Sequence, residues 1–597
     1  MSRKMNPSPR FQLYSFKTRL LTVLVVFGLC FVTALGRAFY LQILKADYYK
    51  EKAKSQHERT LTLEPRRGRI LDKDGRILAV SIELRSLFAK PSQINSPPQI
   101  ARLISPIIKI PYHKLLAKLK SKKNFVWIKR KLTPEQANKI ENLNLKGIDF
   151  MEEFRRYYPN GNFAGQILGY TGIDSQGLEG IESKYEYFLA GKPQSYVVEK
   201  EGMYRTVPLS KIPMKIPDQY SLHLTIDSTI QHFAEMAIRD GVLKSRADRG
   251  TVVALHSKTG AILAMASYPG FDPNQYQLYH RSYQLNRAAT SGYEPGSTFK
   301  MVTVAAALNE GKISPDQKFF CEEGKYNIGK NLVHDTSPHG IMTLGQIIKK
   351  SSNICAAKIG MSMKPSKFHQ YILRFGFGKR PNSGVAAEAS GRVIPYRKWQ
   401  TIDHANISFG QAILVSPLQL VSAANVFAND GIFVSPYIVD YLKDKHGEKI
   451  TKIKNKNGEI IHNFGSGIRN PVVNPYVAKL VKEYLISVTK KGGTAEKAAI
   501  NGYQVAGKTG TSQIYDKQLG RYSNTRYISS FVGFAPASEP LVTVLVIVDQ
   551  PRTSYYGGIV AAPIFKDFVK RTLLFEDVLP FPDDETEIKF QKETVNR

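Results

Sequence analysis

Three cysteines among 597 residues exclude a disulfide framework as the source of stability. Cys30 lies in an apolar run. Cys321 and Cys355 could pair in an oxidising compartment, but free thiols are the favoured expectation, because a core of this size does not need a staple. Metal-ligand spacings of His, Cys, Asp and Glu are missing, as are a glycine-rich phosphate loop and a His-Glu-x-x-His helix. Neither a metal nor any other cofactor is expected. Acids are scarce beside bases, 50 Asp and Glu against 84 Lys and Arg, for a net charge of +34. That charge suits a polyanion, yet the bases are dispersed and no nucleic-acid-binding motif occurs, so no nucleic acid partner is expected. The densest cluster, Lys114, Lys118, Lys120, Lys122, Lys123, Lys129, Arg130 and Lys131, reads first as a solvated face. Its alternative is a surface for anionic lipid headgroups or a glycan-lipid pyrophosphate.

What is present begins with a run of 17 uncharged residues, Leu20 to Gly36, between Arg19 and Arg37. It is at the short end of a membrane span. Arg3, Lys4, Arg10, Lys17 and Arg19 precede it without an acid, which places the N-terminus in the cytoplasm and everything after Arg37 outside. A cleaved signal ending near Ala34-Leu35-Gly36 competes with this reading, but Leu41 to Leu44 continue the apolar helical pattern.

Three short motifs follow in order: Ser297-Thr298-Phe299-Lys300, Ser351-Ser352-Asn353, and Lys508-Thr509-Gly510-Thr511. Each is cheap alone, since Ser487-Val488-Thr489-Lys490 and Lys258-Thr259-Gly260 fit the same patterns. Context separates them. Lys258 to Gly260 joins two β-prone runs and reads as a hairpin turn, and Ser487 sits in the last turn of a helix ending at Gly492-Gly493. Ser297 instead follows Glu294-Pro295-Gly296 and precedes the apolar run Met301 to Leu308, near a helix start. One helical turn brings the Lys300 amine towards the Ser297 hydroxyl. A serine hydroxyl attacks a carbonyl only when a neighbouring base takes its proton. Lysine is such a base only if burial or a nearby cation lowers its pKa, and Lys508 is the candidate cation. The set reads as an acyl-transfer site.

The chain is expected to be α+β. Arg66 to Ala79 reads as two strands turned at Asp74-Gly75, Leu222 to Ile226 as a strand, and Ser228 to Leu243 as a helix. Tyr527 to Phe534 and Leu541 to Val548 should pair antiparallel with the strand carrying Lys508, at a sheet edge facing the Ser297 helix, and a helix from Ala562 to Leu574 should cover the sheet. Lys211 to Pro217 reads as a hinge. The polar stretch from Asp583 to Arg597 is expected to be disordered.

The three motifs in this order resemble those of penicillin-binding proteins and serine β-lactamases. Arg66 to Ala79, Arg155-Arg156-Tyr157-Tyr158-Pro159 and Gly177-Leu178-Glu179-Gly180-Ile181-Glu182 resemble the pedestal of the class B, monofunctional branch. Tyr268 to Asn274 and Ser408-Phe409-Gly410-Gln411 extend the likeness, and the latter, after Trp399 and Asp403, is more like the septal than the elongation branch. Ala412 stands where a glycine is usual. The resemblance implies a cytoplasmic tail (1–19), a membrane helix (20–37), an elongated α/β non-catalytic pedestal of the dimerisation type (38–220), a β-lactamase-like transpeptidase domain with helices flanking an antiparallel sheet (221–576) and a polar tail (577–597). It implies a peptidoglycan D,D-transpeptidase of the cytoplasmic membrane with its catalytic domain in the periplasm.

In that reading Ser297 attacks, Lys300 is the base, and Ser351 relays the proton to the leaving amine. Asn353 binds the substrate amide, and Thr509, Gly510 and Thr511 hold its carboxylate near Lys508. Backbone N–H groups of Ser297 and Thr511 form the oxyanion hole, a term worth ~3 to 4 kcal/mol per donor. Implied partners are stem peptides, lipid-linked glycan strands, β-lactams, a membrane-embedded glycan polymerase and division-complex proteins. The competing readings are an elongation-type enzyme, a D,D-carboxypeptidase or β-lactamase, and a catalytically idle division scaffold.

Overall fold

Residues 9–50, 58–63, 66–191, 194–201, 205–206, 220–454, 460–516 and 520–580 are described by the structure, a computed structural model. The chain divides into two compact units, residues 1–65 with 192–216 and residues 66–191 with 217–597. The expected hinge at residues 211–217 and the tail from residue 581 lie outside the described residues.

In the first unit, helix Pro9–Phe39 runs into a π-helical turn at Tyr40–Leu44. It holds the one stretch among the described residues that is long and apolar enough to cross a membrane. Between Leu20 and Phe39 its large apolar side chains are exposed, as those of a lipid-facing helix are. Strand Glu58–Leu63 pairs antiparallel with Gln194–Glu201.

The second unit opens with the expected hairpin, Ile70–Leu71 and Ile77–Ala89, where Gly75 takes φ +84° in the turn. The long strand pairs antiparallel with Val126–Lys129 and Ile148–Tyr157. Helices Pro97–Ile108, Tyr112–Leu119 and Pro134–Glu141 close over a small core of their own around Leu87, Ile104, Leu115 and Ile140. Below it the pedestal motifs meet in an ionic knot. The Glu182 carboxylate accepts from Arg67 Nε at 2.5 Å and from Arg156 Nε at 2.6 Å, with all three side chains buried. Burial alone would raise the Glu182 pKa, but the two guanidiniums hold it below the ordinary carboxylate range. Strand Ser221–Leu224 then pairs parallel with Ile70–Leu71 and antiparallel with Val439–Lys443. One sheet therefore crosses residue 220.

The remaining sheet has strands β1 (Arg249–His256), β2 (Ile262–Tyr268), β3 (Ala506–Asp516), β4 (Arg521–Ala535) and β5 (Val542–Asp549). Their order is β2-β1-β5-β4-β3, antiparallel throughout. β1 and β5 are buried on both faces, so they read as continuous apolar runs rather than alternating ones. Six helices matter to the site: α1 (Ser228–Ser245), α2 (Lys300–Asn309), α3 (Asn353–Met361), α4 (Pro417–Ala428), α5 (Pro475–Thr489) and α6 (Gly557–Phe575). α1, α4 and α6 pack on the sheet, and α2 is buried nearly throughout, as its apolar composition on all sides requires. α6 begins five residues before the expected start.

Cys321 and Cys355 are not free thiols. They form a disulfide, with Cα atoms 5.2 Å apart, inside the range such a bond needs. The size of the whole core was the wrong criterion. The segment between them holds one small hairpin, Lys325–Ile328 with Asn331–His334, and the strand Ile341–Thr343, which pairs back onto Lys318–Phe320 just before Cys321; these short strands bury little of their own and are fastened to α3 instead.

Candidate active site

Ser297 lies in a single 3-10 turn, Gly296–Phe299, that leads into α2. Gly296 takes φ +55°, and a Cβ there would stand 3.1 Å from the Thr511 carbonyl oxygen of β3. A Cβ on Gly510 would meet Thr298 Cγ2 at 2.9 Å and the Pro295 carbonyl at 3.0 Å. The glycines of the first and third motif segments thus let the edge strand lie directly against the nucleophile turn. Lys258-Thr259-Gly260 lies in the β1–β2 turn, and Lys258 pairs with Glu539 at the surface. Ser487 donates to the Tyr484 carbonyl within α5. Both are outside the cleft.

Helix Leu344–Lys350 ends at Ser351, which takes the left-handed conformation at φ +67°. Non-glycine residues adopt it at a cost and cluster at active sites when they do. Its consequence here is the aim of a hydroxyl. Lys508 Nζ donates to Ser351 Oγ at 3.0 Å and Lys300 Nζ donates to the same oxygen at 3.2 Å. Lys300 Nζ also donates to the Ser351 carbonyl and, at 2.8 Å, to Asn353 Oδ1. No hydrogen bond joins Lys300 to Ser297 among the described residues, and Ser297 is half-buried in the lining of the cleft.

Both lysines are fully buried. Burial, with the charge of Lys508 as a second cause, pushes the Lys300 amine well below its ordinary range, against the opposing pull of Asp335. Burial pushes Lys508 down to about 7. Burial and the charge of Lys508 together favour the neutral form of Lys300, the form a base needs. Thr509 Oγ1 lies 3.3 Å from Lys508 Nζ and 3.1 Å from Thr494 Oγ1, and Thr511 Oγ1 accepts from the Gly557 N–H at the start of α6.

The cleft holds about 570 Å³, and its lining includes Ser297, Ser351, Asn353, Thr509 and Thr511. All eight residues expected from the motifs converge, with Lys300 and Lys508 beneath its floor. Four features were not expected. Asp335 accepts from Ser352 Oγ at 2.6 Å, from the Asn353 N–H and from the Ile354 N–H at 3.1 Å. It fixes the N-terminus of α3, where a carboxylate is favoured. The His334 carbonyl accepts from Asn353 Nδ2 at 3.0 Å, which orients the amide with its oxygen towards Lys300. Tyr527 and Tyr555 stack at 4.4 Å beside Tyr556 to form an aromatic edge. Ala412 takes φ +59°, the conformation for which glycine is suited, and donates its N–H to Glu294 Oε1 at 3.1 Å. Nothing local marks Asp335 in the sequence; its partner segment lies 17 residues away.

Residues 250–570 match the penicillin binding protein transpeptidase domain, and residues 62–211 match the penicillin-binding protein dimerisation domain. The chain is 32% identical over 571 residues to a protein named probable peptidoglycan D,D-transpeptidase PenA in Neisseria meningitidis, covering 94% of this chain and 93% of that protein. It is 31% identical over 560 residues to peptidoglycan D,D-transpeptidase FtsI of Escherichia coli K12, covering 92% and 90%. The structure is similar, with TM-score 0.67 and 25% identity, to penicillin binding protein 3 of Mycobacterium tuberculosis in complex with aztreonam, covering 87% of this chain and 98% of that one.

Proposed function

The chain belongs to the penicillin-binding protein transpeptidase family, and on that premise we propose that it is a class B peptidoglycan D,D-transpeptidase of septal wall synthesis, acylated on Ser297. The observation that carries the site is the Ser351 hydroxyl held between two buried lysines, 3.2 Å from Lys300 and 3.0 Å from Lys508. One hydroxyl touching a base and a cation is a proton relay.

Ser297 Oγ attacks the carbonyl of the penultimate D-alanine in a stem peptide. Lys300, neutral because buried beside Lys508, takes the hydroxyl proton. Its hydrogen bonds run to Ser351 and Asn353, and a base and nucleophile often draw together only once substrate is seated. The N–H groups of Ser297 and Thr511 stabilise the oxyanion. Ser351 passes the proton to the departing D-alanine amine, leaving an acyl-enzyme. An amine of a neighbouring stem attacks this ester, loses its proton through the same relay and frees Ser297 with a crosslink formed. Asn353 binds the peptide amide, while Thr509, Gly510, Thr511 and Lys508 hold the terminal carboxylate. β-Lactams acylate the same serine.

The basic residues before Leu20 support a cytoplasmic N-terminus and an external catalytic part. The parts are a cytoplasmic tail (1–19), an anchor (20–37), a pedestal (38–220), a catalytic domain (221–576) and a tail (577–597). The segment Ser408 to Gln411, after Trp399 and Asp403, supports the septal role. Crosslinking consumes nascent strands, so a membrane-embedded glycan polymerase and division-complex proteins are the partners.

Labelling with a fluorescent penicillin tests the site: Ser297→Ala loses the label and Ser487→Ala keeps it. The reverse pattern overturns the assignment. Incubation with a pentapeptide donor and an amine acceptor tests the reaction, since crosslinked product is expected and hydrolysed tetrapeptide alone would make the protein a carboxypeptidase. In cells depleted of the native protein, Ser297→Ala is expected not to restore division. Rescue would make it a scaffold.

A further inference from the structure

Between Glu83 and Glu135 the sequence has no acid and twelve Lys and Arg. This segment forms most of the small subdomain above the ionic knot, and its charges have separable fates. Arg85 pairs with Glu141, Lys90 with Asp149, and Arg130 with Glu153 and Asp174, all acids that follow the segment. Lys118, Lys129 and Lys131 donate to backbone carbonyls of Trp127, Ile108 and Ile173. Arg102, Lys109, Lys114, Lys120, Lys122 and Lys123 remain, exposed and with no carboxylate partner among the described residues. The crowding is felt inside the subdomain, where burial and then the charge of Lys109 push the Lys129 amine down.

Apolar side chains are interleaved with these cations. Leu103, Tyr112 and Phe125 are exposed, and Phe125 packs edge to face on Trp127 at 4.9 Å. Tyr112 and Phe125, each about a third exposed among the lysines, give the segment an apolar component beside its charge. Long basic chains with aromatic and aliphatic neighbours match a bilayer interface, where the cations meet phosphates and the rings enter the headgroup layer. A glycan strand would match the charge and leave the apolar residues unused. The same chain carries a membrane-length helix, so even weak headgroup affinity acts at the high local lipid concentration that a tether sets.

We propose that this acid-free segment of the subdomain is a docking surface for anionic phospholipid headgroups of the membrane that holds the chain's own N-terminal helix. The interaction is electrostatic in range and interfacial in grip, and it would hold the base of the crosslinking enzyme at a membrane rich in acidic lipid.

The chain has two tryptophans, Trp127 in this subdomain and Trp399 beside Phe368, which supplies the test. Full-length Trp399→Phe protein, its folding checked by fluorescent penicillin labelling, is placed in nanodiscs containing brominated phosphatidylglycerol or brominated phosphatidylcholine. Trp127 quenching is expected to be at least about threefold stronger with the anionic lipid, and to fall towards the zwitterionic value in ~0.5 M salt, where screening is nearly complete beyond a few ångströms. Replacing Lys109, Lys114, Lys120, Lys122 and Lys123 by Ser is expected to abolish the difference while penicillin labelling persists. Equal quenching in the two lipids, or a Ser variant quenched like its parent, overturns the proposal. So does protection of residues 109–125 from hydrogen exchange by soluble glycan strands in neutral nanodiscs without an effect of anionic lipid, because that result assigns the surface to wall polymer.

Discussion

The proposed chemistry turns on two lysines whose roles the family resemblance implies and whose charges only burial could set. A lysine in water is protonated at neutral pH and useless as a base. With Lys300 pushed well down and Lys508 at about 7, the penicillin acylation rate is expected to rise with pH as Lys300 loses its proton, then fall above about 7 as Lys508 loses its own. In Lys508→Arg the residual rate should keep the rising limb and lose the falling one, since a guanidinium does not titrate there. A falling limb unchanged in that variant would remove Lys508 from the profile. Lys300→Ala should slow acylation by about 10² to 10⁴, the usual range for a positioned base. Single residues also show what sequence hides. Ser351 was legible as a motif member, but its left-handed backbone and its place between the lysines depend on where a helix stops against a distant strand.

At the scale of elements, α3 is the part most in need of support. It carries Asn353 in its first turn, and three devices hold it: the Ser352 cap, the Asp335 carboxylate and the Cys321–Cys355 disulfide. Asp335→Asn removes charge-assisted bonds worth roughly 1.5 to 3 kcal/mol each. Penicillin acylation in this variant is expected to slow tenfold or more and Tm to fall, and an unchanged rate would make Asp335 a cap without bearing on the site. The disulfide closes a loop of sequence separation 34, which in the chain-entropy model is worth roughly 3 to 4 kcal/mol. Replacing both cysteines by serine, or reducing the protein, is expected to lower Tm and to slow acylation through loss of order in α3. Calorimetry and labelling rates on oxidised and reduced protein check both effects. The strands and the Ser297 helix were legible because apolar runs and turn residues encode them locally. The disulfide was not, because two cysteines 34 residues apart carry no sign of their separation in space.

At the scale of the molecule, the pedestal's Arg67–Glu182–Arg156 knot joins motifs from three parts of the chain. Its Glu182 has a depressed pKa, so the stability it contributes is present above the ordinary carboxylate range and is lost as pH falls through the lowered folded value. Glu182→Gln leaves the buried Arg156 guanidinium without its carboxylate and Arg67 with Glu186 alone, an expected loss of about 3 to 5 kcal/mol, and it removes that acid-sensitive limb from the stability profile. Acid unfolding followed by circular dichroism, wild type against variant, would show otherwise if the two curves ran parallel. Sequence alone pointed, through the family resemblance, to the reaction class and to Ser297 as the proposed nucleophile, and it laid out the order of the strands' segments along the chain and an apolar stretch of membrane length, because each is written in local pattern or in a motif of few residues. Tertiary structure decided the rest: that Ser221–Leu224 joins a sheet with Ile70–Leu71 across residue 220, that Asp335 and the disulfide brace α3, and that both lysines are dry. Those properties belong to neighbours brought together from far along the chain, and dehydration, which sets the pKa of a base, exists only once they have met.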